Sequence, residues 1–413
     1  MTSSKPISTL LEQFDYVRAA TEALCASLSP EDQCLQGMTA ASPAKWHRAH
    51  TTWFFERFVL APLGRSDLNP LYDKLFNSYY EAVGSRIARE KRHLISRPTA
   101  AEVSLYRKQI DARMRELLTS GTLSADTRHA VELGMAHEEQ HQELILTDIL
   151  CAFYENPGAP TYRDDAPTHR AKPVEALTWK SFAGGLVEIG TNSTAFSFDN
   201  ERPRHRVYLE PFQLASRPIT VGDVKEFIRA GGYREPLLWL SAGYDCVRRL
   251  GWEAPLYVEH RDNVYRCFSL LGWRTPDHAE PASHLSFWEA DAIARFLQAR
   301  LPTETEWEVA ASEHDPTCGN FADGDLVPDA REPAMFGNVW EWTRSSYEPY
   351  PGFVPEAKEF GEYNGKFMAQ QFVLRGGSCL TPRGHVRASY RNYWHPETRF
   401  QMTGARIARN AQT

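Results

Sequence analysis

The sequence predicts a multidomain chain of mixed class: an N-terminal antiparallel four-helix bundle followed by an α+β domain with much irregular loop. Three observations predict it. Residues 1–155 carry apolar side chains at helical spacing in four separate stretches. Residues 156–178 are broken by Pro157, Gly158, Pro160, Pro167 and Pro173 and read as a linker. Over 179–413, short strand-like runs alternate with turns rich in Gly, Pro, Asn and Asp, and few helices interrupt them. The 413 residues suffice for two or three domains, each with its own core.

The first helix follows from the stripe Ile7, Leu10, Leu11, Phe14, Val17 and Leu24, and stops before Ser29-Pro30. The second is expected over 42–60, with Pro43 tolerated in the first turn because the N–H it lacks has no helical partner there. The third opens on the capping box Thr99-Ala100-Ala101-Glu102 and runs to about 118. The fourth opens near Ser124-Ala125-Asp126. Between the second and third lies a long link, 64–98, of the kind that often carries function. In the second half, Leu186-Val187-Glu188-Ile189 and His205-Arg206-Val207-Tyr208-Leu209 read as strands. Helices are expected over 221–230, over 286–300 behind the capping box Ser286-Phe287-Trp288-Glu289, and after Thr303-Glu304-Thr305-Glu306. No internal repeat or low-complexity tract is visible.

Composition narrows the class of function. A net charge of -7 with no long basic run argues against nucleic acid as the main partner. No stretch has the roughly 18 apolar residues of a membrane span, and no apolar run follows Met1 as in a signal peptide. The seven cysteines are scattered without a CxxC pair, which fits free thiols in a reducing cytoplasm.

The fourth helix carries the chemistry-bearing stretch Gly134-Met135-Ala136-His137-Glu138-Glu139-Gln140-His141. Residues i and i+4 share a helical face, so His137 and His141 can aim at one point, as two nitrogen ligands of a metal do. A helical histidine pair is more often a surface feature or a satisfied core pair. The second helix offers a third imidazole in Trp46-His47-Arg48-Ala49-His50-Thr51-Thr52-Trp53-Phe54. His50 is the better placed of its two histidines, framed by Trp46, Trp53 and Phe54. Three neutral imidazoles leave open coordination positions, which suits catalytic zinc or non-haem Fe(II), and spacing does not choose between them. His137-Glu138-Glu139-Gln140-His141 also matches the HExxH pattern of zinc proteases, with Glu138 as base. Against that reading, the next histidine is His169, inside the Pro-rich linker. In the long link, Tyr79 and Tyr80 are candidate proton donors or simply core cover. Arg86, Arg89, Lys91 and Arg92 form a basic cluster that could clamp a substrate carboxylate, although a solvated basic loop is the commoner outcome.

The motifs together carry a resemblance. The second half is similar to the formylglycine-generating-enzyme/sulfatase-modifying-factor domain, a C-type-lectin-like fold. The matching segments are Gly184-Gly185-Leu186-Val187-Glu188-Ile189-Gly190, Phe198-Asp199-Asn200-Glu201-Arg202-Pro203, Pro218-Ile219-Thr220, Leu301-Pro302-Thr303-Glu304-Thr305-Glu306-Trp307-Glu308, Gly337-Asn338-Val339-Trp340-Glu341-Trp342-Thr343 and Leu374-Arg375-Gly376-Gly377-Ser378-Cys379. The first half resembles a DinB-type bundle with metal-binding histidines. In this order the two resemble the ergothioneine sulfoxide synthases.

That resemblance implies a cofactor, Fe(II), held by His50, His137 and His141, with O2 as co-substrate. It implies a reaction joining a thiol, cysteine in preference to γ-glutamylcysteine, to C2 of the imidazole of hercynine, with oxidation to the sulfoxide. By the same matching, Gln140 contacts hercynine and Asn392 its amino-acid end. Tyr79-Tyr80 resemble the tyrosine pair of the cysteine-using branch, and Tyr393 and Trp394 offer aromatic faces to a trimethylammonium group. Arg86 and Arg89 remain candidates for substrate binding. Partners are thus small molecules, hercynine and a thiol or selenium donor. The chain departs from the cysteine-using relatives at Tyr393-Trp394, where two phenylalanines are usual, and at His395. This keeps open a selenoneine synthase that joins a selenosugar to hercynine. More distant is a formylglycine-type cysteine oxidase, for which Cys318 and Cys379 are the candidate thiols. The branch carrying an added methyltransferase domain is disfavoured by the end at Thr413.

Overall fold

The computed structural model describes residues 9–66, 68–121, 123–164, 176–261, 264–330 and 334–411. It divides into two compact units, Met1–Tyr162 and Arg163–Thr413. Of the linker expected at 156–178, residues 165–175 lie outside the described residues, and Pro167, His169 and Pro173 with them. Ile7 of the first apolar stripe lies outside them too.

The first unit is helical. Helix α1 (Leu10–Cys25) starts on Thr9, whose side chain forms a reciprocal capping box with Glu12. Helix α2 (Ala44–Phe55) follows Pro43 and passes into a wider π-type turn over Glu56–Leu60. The long link is not structureless. It folds into α3 (Pro70–Phe76) and 3-10 turns at Glu81–Val83 and Arg89–Leu94. Helix α4 (Ala100–Thr119) opens on the capping box of Thr99 and Glu102, and α5 (Ala125–Glu155) on Ser124. Helix α2 packs against both α4 and α5, while α1 lies along α5. As the central member, α2 is buried on every side from Ala44 to Phe55. Trp53, Phe54 and Phe55 are fully buried, each contributing roughly 1.5–3 kcal/mol through apolar burial.

The second unit is built of short sheets. Strand β1 (Trp179–Phe182) pairs with β4 (Phe212–Pro218), which also pairs with β14 (Arg406–Asn410). The hairpin of β2 (Gly185–Ile189) and β3 (His205–Leu209) lies between β1 and β4 in the chain. A meander follows, of β5 (Val258–Arg261), β6 (Val264–Ser269) and β7 (Gly272–Arg274), and then the two-residue pair β8 (Gly319–Asn320) and β9 (Phe336–Gly337). The four-stranded sheet has the order β12 (Asn392–Trp394), β11 (Phe372–Arg375), β10 (Trp340–Ser346), β13 (Thr403–Gly404). Among the described residues, four α-helices accompany the strands: α6 (Val221–Arg229), α7 (Ser241–Leu250), α8 (Phe287–Phe296) and α9 (Glu304–Ala311). The helix expected over 286–300 ends four residues early, because Gln298 takes a left-handed conformation with φ 56°. Helix α7 was not expected.

The glutamate-, arginine- and tryptophan-rich segments interlock in this unit. Trp307 Nε1 donates to Glu341 over 2.6 Å, and Glu341 also accepts from buried Arg406. Arg375, fully buried, pairs with Glu304 at 2.7 Å and with Glu308 at 3.0 Å. Charges this deep are tolerated because each meets a partner. Among the described residues, no helix is long and apolar enough to cross a membrane.

Candidate metal centre

Helices α2 and α5 bring three imidazoles together in the first unit. His50, His137 and His141 are all buried, and a ligand atom from each lies within 4.8 Å of the other two. The ring centroids form a nearly equilateral triangle, 4.8 Å for His50–His137, 4.7 Å for His50–His141 and 4.5 Å for His137–His141. Spacing of i, i+4 on α5 supplies two corners, and the adjacent face of α2 supplies the third.

The surroundings set the state of each ring. Burial pushes the His137 pKa down to about 3, against the pull of Glu138. Burial, reinforced by the neighbouring His137, holds His50 and His141 well below the usual histidine value. All three imidazoles are therefore neutral near pH 7, the form that ligates metal. His50 Nδ1 lies 2.5 Å from the carbonyl of Phe76. A carbonyl only accepts, so Nδ1 carries the proton and Nε2 presents its lone pair. That Nε2 is 3.1 Å from Nε2 of His137. Two nitrogens each about 2.1 Å from one ion at a right angle stand about 3.0 Å apart. The residues present fit a metal ion. Trp46 stacks on the His50 ring at 4.6 Å, and Phe54 packs on His137 at 4.8 Å, so the pair sits between apolar walls.

Glu138 does not serve this centre. It is completely buried and tied to Arg18 at 2.7 Å, to Arg107, and to Thr21 Oγ1 at 2.6 Å. Burial raises its pKa, but Arg107 and Arg18 outweigh burial and bring it to about 2. A carboxylate clamped by two arginines is a poor proton acceptor, which removes the protease reading.

The fold brings in Asp148, which the sequence did not single out, together with His47, ranked behind His50, and Arg92, one member of the basic cluster. His47 Nδ1 is 2.7 Å from His141 Nδ1, and its Nε2 is 3.0 Å from Asp148 Oδ2. Asp148 follows His141 by seven residues, two turns along the same face of α5, and that spacing was the available signal. Of the basic cluster, Arg92 is the member that reaches inward. Its guanidinium lies 3.4 Å over the Trp46 ring and donates to Ser42 and Ser78. Burial, with the charge of Arg89, presses its pKa down, while Asp148 supports it. Arg86 instead pairs at the surface with Glu81, and exposed Arg89 reaches the carbonyl of Ala40 at 3.4 Å.

Tyr79 and Tyr80 lie side by side, hydroxyls 3.5 Å apart. Tyr80 is fully buried against Phe58 and Trp53, and Trp53 in turn stacks on His50. Gln140 is half-buried on α5, next to His141. In the second unit, Asn392, Tyr393 and Trp394 are half-buried on edge strand β12. Tyr393 stacks on Tyr347 at 3.9 Å and its hydroxyl donates to Asn364. Trp394 meets Phe400 edge-on, and the Asn392 side chain accepts the Tyr393 N–H. Cys318 is exposed and Cys379 buried, and neither is in a disulfide.

The fold thus joins a helical unit with a buried histidine triad, able to hold a metal ion, to a unit of short sheets and interlocking motifs. Residues 167–334 and 333–411 match the family described as sulfatase-modifying factor enzyme 1-like domain. The hercynine oxygenase of Mycolicibacterium smegmatis is 31% identical over 405 residues, covering 89% of this chain and 91% of that protein. That of Mycobacterium tuberculosis is 29% identical over 408 residues, covering 91% and 92%. Ergothioneine biosynthesis protein 1 of Schizosaccharomyces pombe is 24% identical over 233 residues, covering 52% of this chain and 28% of that protein. The chain belongs to the ergothioneine sulfoxide synthase family.

Proposed function

We propose that the protein is a non-haem Fe(II), O2-dependent enzyme that joins a thiol to C2 of the hercynine imidazole and oxidises the sulfur to the sulfoxide. The observation that carries this is the triad of neutral, buried imidazoles of His50, His137 and His141 on α2 and α5. These three residues would hold the ion, which supplies redox chemistry toward O2 and lowers the pKa of a bound thiol. The chain's own residues orient the substrates. Gln140 contacts hercynine, and Asn392 its amino-acid end. Tyr393 and Trp394 face the trimethylammonium group. The hydroxyl pair of Tyr79 and Tyr80 holds or delivers a proton during bond formation. Arg86 and Arg89 bind a carboxylate of the donor.

Cysteine is the preferred thiol over γ-glutamylcysteine, a reading supported by the paired tyrosines. A second reading, formation of a C–Se bond from a selenosugar, is favoured by one observation: Tyr393-Trp394 depart from the phenylalanine pair of the cysteine-using branch.

The test is anaerobic reconstitution with Fe(II), then parallel incubation with hercynine, O2 and cysteine, γ-glutamylcysteine or a selenosugar, with mass spectrometry of the products. One iron per chain and a hercynine–cysteine sulfoxide are expected, and His137→Ala with His141→Ala removes both. Protein that takes up no divalent metal, or a double variant that keeps full turnover, overturns the proposal.

A further inference from the structure

We infer that Asp148 and His47 are positioning residues that lock His141 in the tautomer able to bind metal. The inference rests on the reading of the triad as a metal centre and adds residues to it. Asp148 Oδ2 accepts the backbone N–H of Ser42 at 2.7 Å and faces His47 Nε2 at 3.0 Å. A carboxylate oxygen accepts, so the proton on that line belongs to His47 Nε2. With that proton on Nε2, Nδ1 of His47 is the acceptor toward His141. Nδ1 of His141 lies 2.7 Å away and supplies the proton. The remaining nitrogen of His141, Nε2, is left bare for a metal.

The same logic holds His50, whose Nδ1–H goes to the Phe76 carbonyl. The two locks differ in kind. One acceptor is backbone and survives any substitution. The other is a side chain backed by a carboxylate, and it can be removed. Both members are buried, His47 at 2% and Asp148 at 6% exposure, so water does not readily take over their roles. Arg92 and Ser42 complete the support: the Arg92 guanidinium holds the Ser42 hydroxyl at 2.8 Å, and the Ser42 N–H holds Asp148. Partners of this kind orient a ligand ring and raise its basicity, and their loss typically costs ~10–100-fold in metal affinity.

The experiment titrates Co(II) into the metal-free full-length chain under anaerobic conditions, by calorimetry and by visible absorption. The wild type should bind one equivalent, and His137→Ala should lose it. His47→Phe fills the same space without an acceptor and should weaken binding about 10–100-fold. His47→Gln offers an amide oxygen to the His141 Nδ1–H and should recover most of that loss. Circular dichroism establishes that each variant folds. If His47→Phe does not fold, Asp148→Ala against Asp148→Asn carries the comparison, since Asn keeps an accepting oxygen; the alanine variant should bind more weakly. Wild-type binding with undiminished affinity in His47→Phe, or equal weakening in Phe and Gln, overturns the relay and leaves the metal centre standing. A wild type that binds no Co(II) overturns both.

Discussion

Glu138 shows at the level of one residue how position along a helix separates chemistry from support. It adjoins His137 in sequence, yet it faces a different neighbourhood, where Arg18, Arg107 and Thr21 hold it. Removing it leaves two buried guanidinium groups short of a counter-charge. Glu138→Ala should therefore destabilise the protein by about 3–5 kcal/mol. The pH dependence has a defined sign. The folded pKa, about 2, lies below the usual 4.5. Its stabilisation is thus complete above about pH 4.5 and is lost as pH falls from there toward 2. Urea denaturation of the wild type and Glu138→Gln at pH 6, 4 and 3 should show a stability gap that narrows with acid. A gap constant across that range would contradict the assignment. The same residue marks what was legible. Helical spacing alone places His137 and His141 on one face, and apolar framing singles out His50. It does not tell which way His47 or Glu138 turns, because that depends on how α2 and α5 are rotated against their neighbours. Arg92 was hidden for a related reason: in a cluster of four basic residues, only the fold decides which one enters.

At the scale of elements, the long helices were readable because their signals are local and repeated. Thr99, Ser286 and Thr303 each form the capping box that their spacing to a glutamate announces. Helix α3 escaped notice because seven residues are too few for a 3.6 period to stand out. Two-residue strands such as β8 and β13 carry no period at all; they exist because a partner strand arrives from far along the chain. One glycine tests how elements set the site. A Cβ on Gly134 of α5 would stand 2.6 Å from Phe55 Cε1 and 3.1 Å from Phe54 Cε1, on α2. Alanine is better than glycine in a helix by about 1 kcal/mol. Overpacking a buried contact costs about 1–3 kcal/mol. Phe55 is fully buried and packs edge-on against Phe14 at 5.2 Å, so it has little room to yield. Gly134→Ala should therefore lower stability by up to about 2 kcal/mol. It should also weaken metal binding, because the clash pushes α5 from α2 one turn before His137. Thermal denaturation and Co(II) titration of the variant check both. A variant as stable as the parent would mean that the packing at this crossing is looser than the distances imply.

For the whole molecule, the decisive fact is that the histidine triad found among the described residues lies in one of the two units. His50, His137 and His141 all belong to Met1–Tyr162. Asn392, Tyr393 and Trp394, proposed above to bind the organic substrates, belong to Arg163–Thr413. Metal binding and substrate binding should then separate experimentally. A ligand that binds only the folded state adds its binding free energy to stability, about 4 kcal/mol at a thousandfold excess over Kd. Ligands that come from α2 and α5 make that free energy part of the folding of the helical unit. Hydrogen exchange followed by mass spectrometry, with and without Co(II), should show slowing in peptides from 44–60 and 125–155. The slowing should reach about a thousandfold for the amides that exchange only by global opening of that unit. Peptides from β10, β11 and β12 should be unchanged by metal alone and should slow only when hercynine is added to the metal-loaded protein. Metal-induced protection spread evenly over both units would show that the ion is not held by the helical unit on its own. Absence of any hercynine effect on β12 would remove Asn392, Tyr393 and Trp394 from the substrate site while leaving the histidine triad untouched.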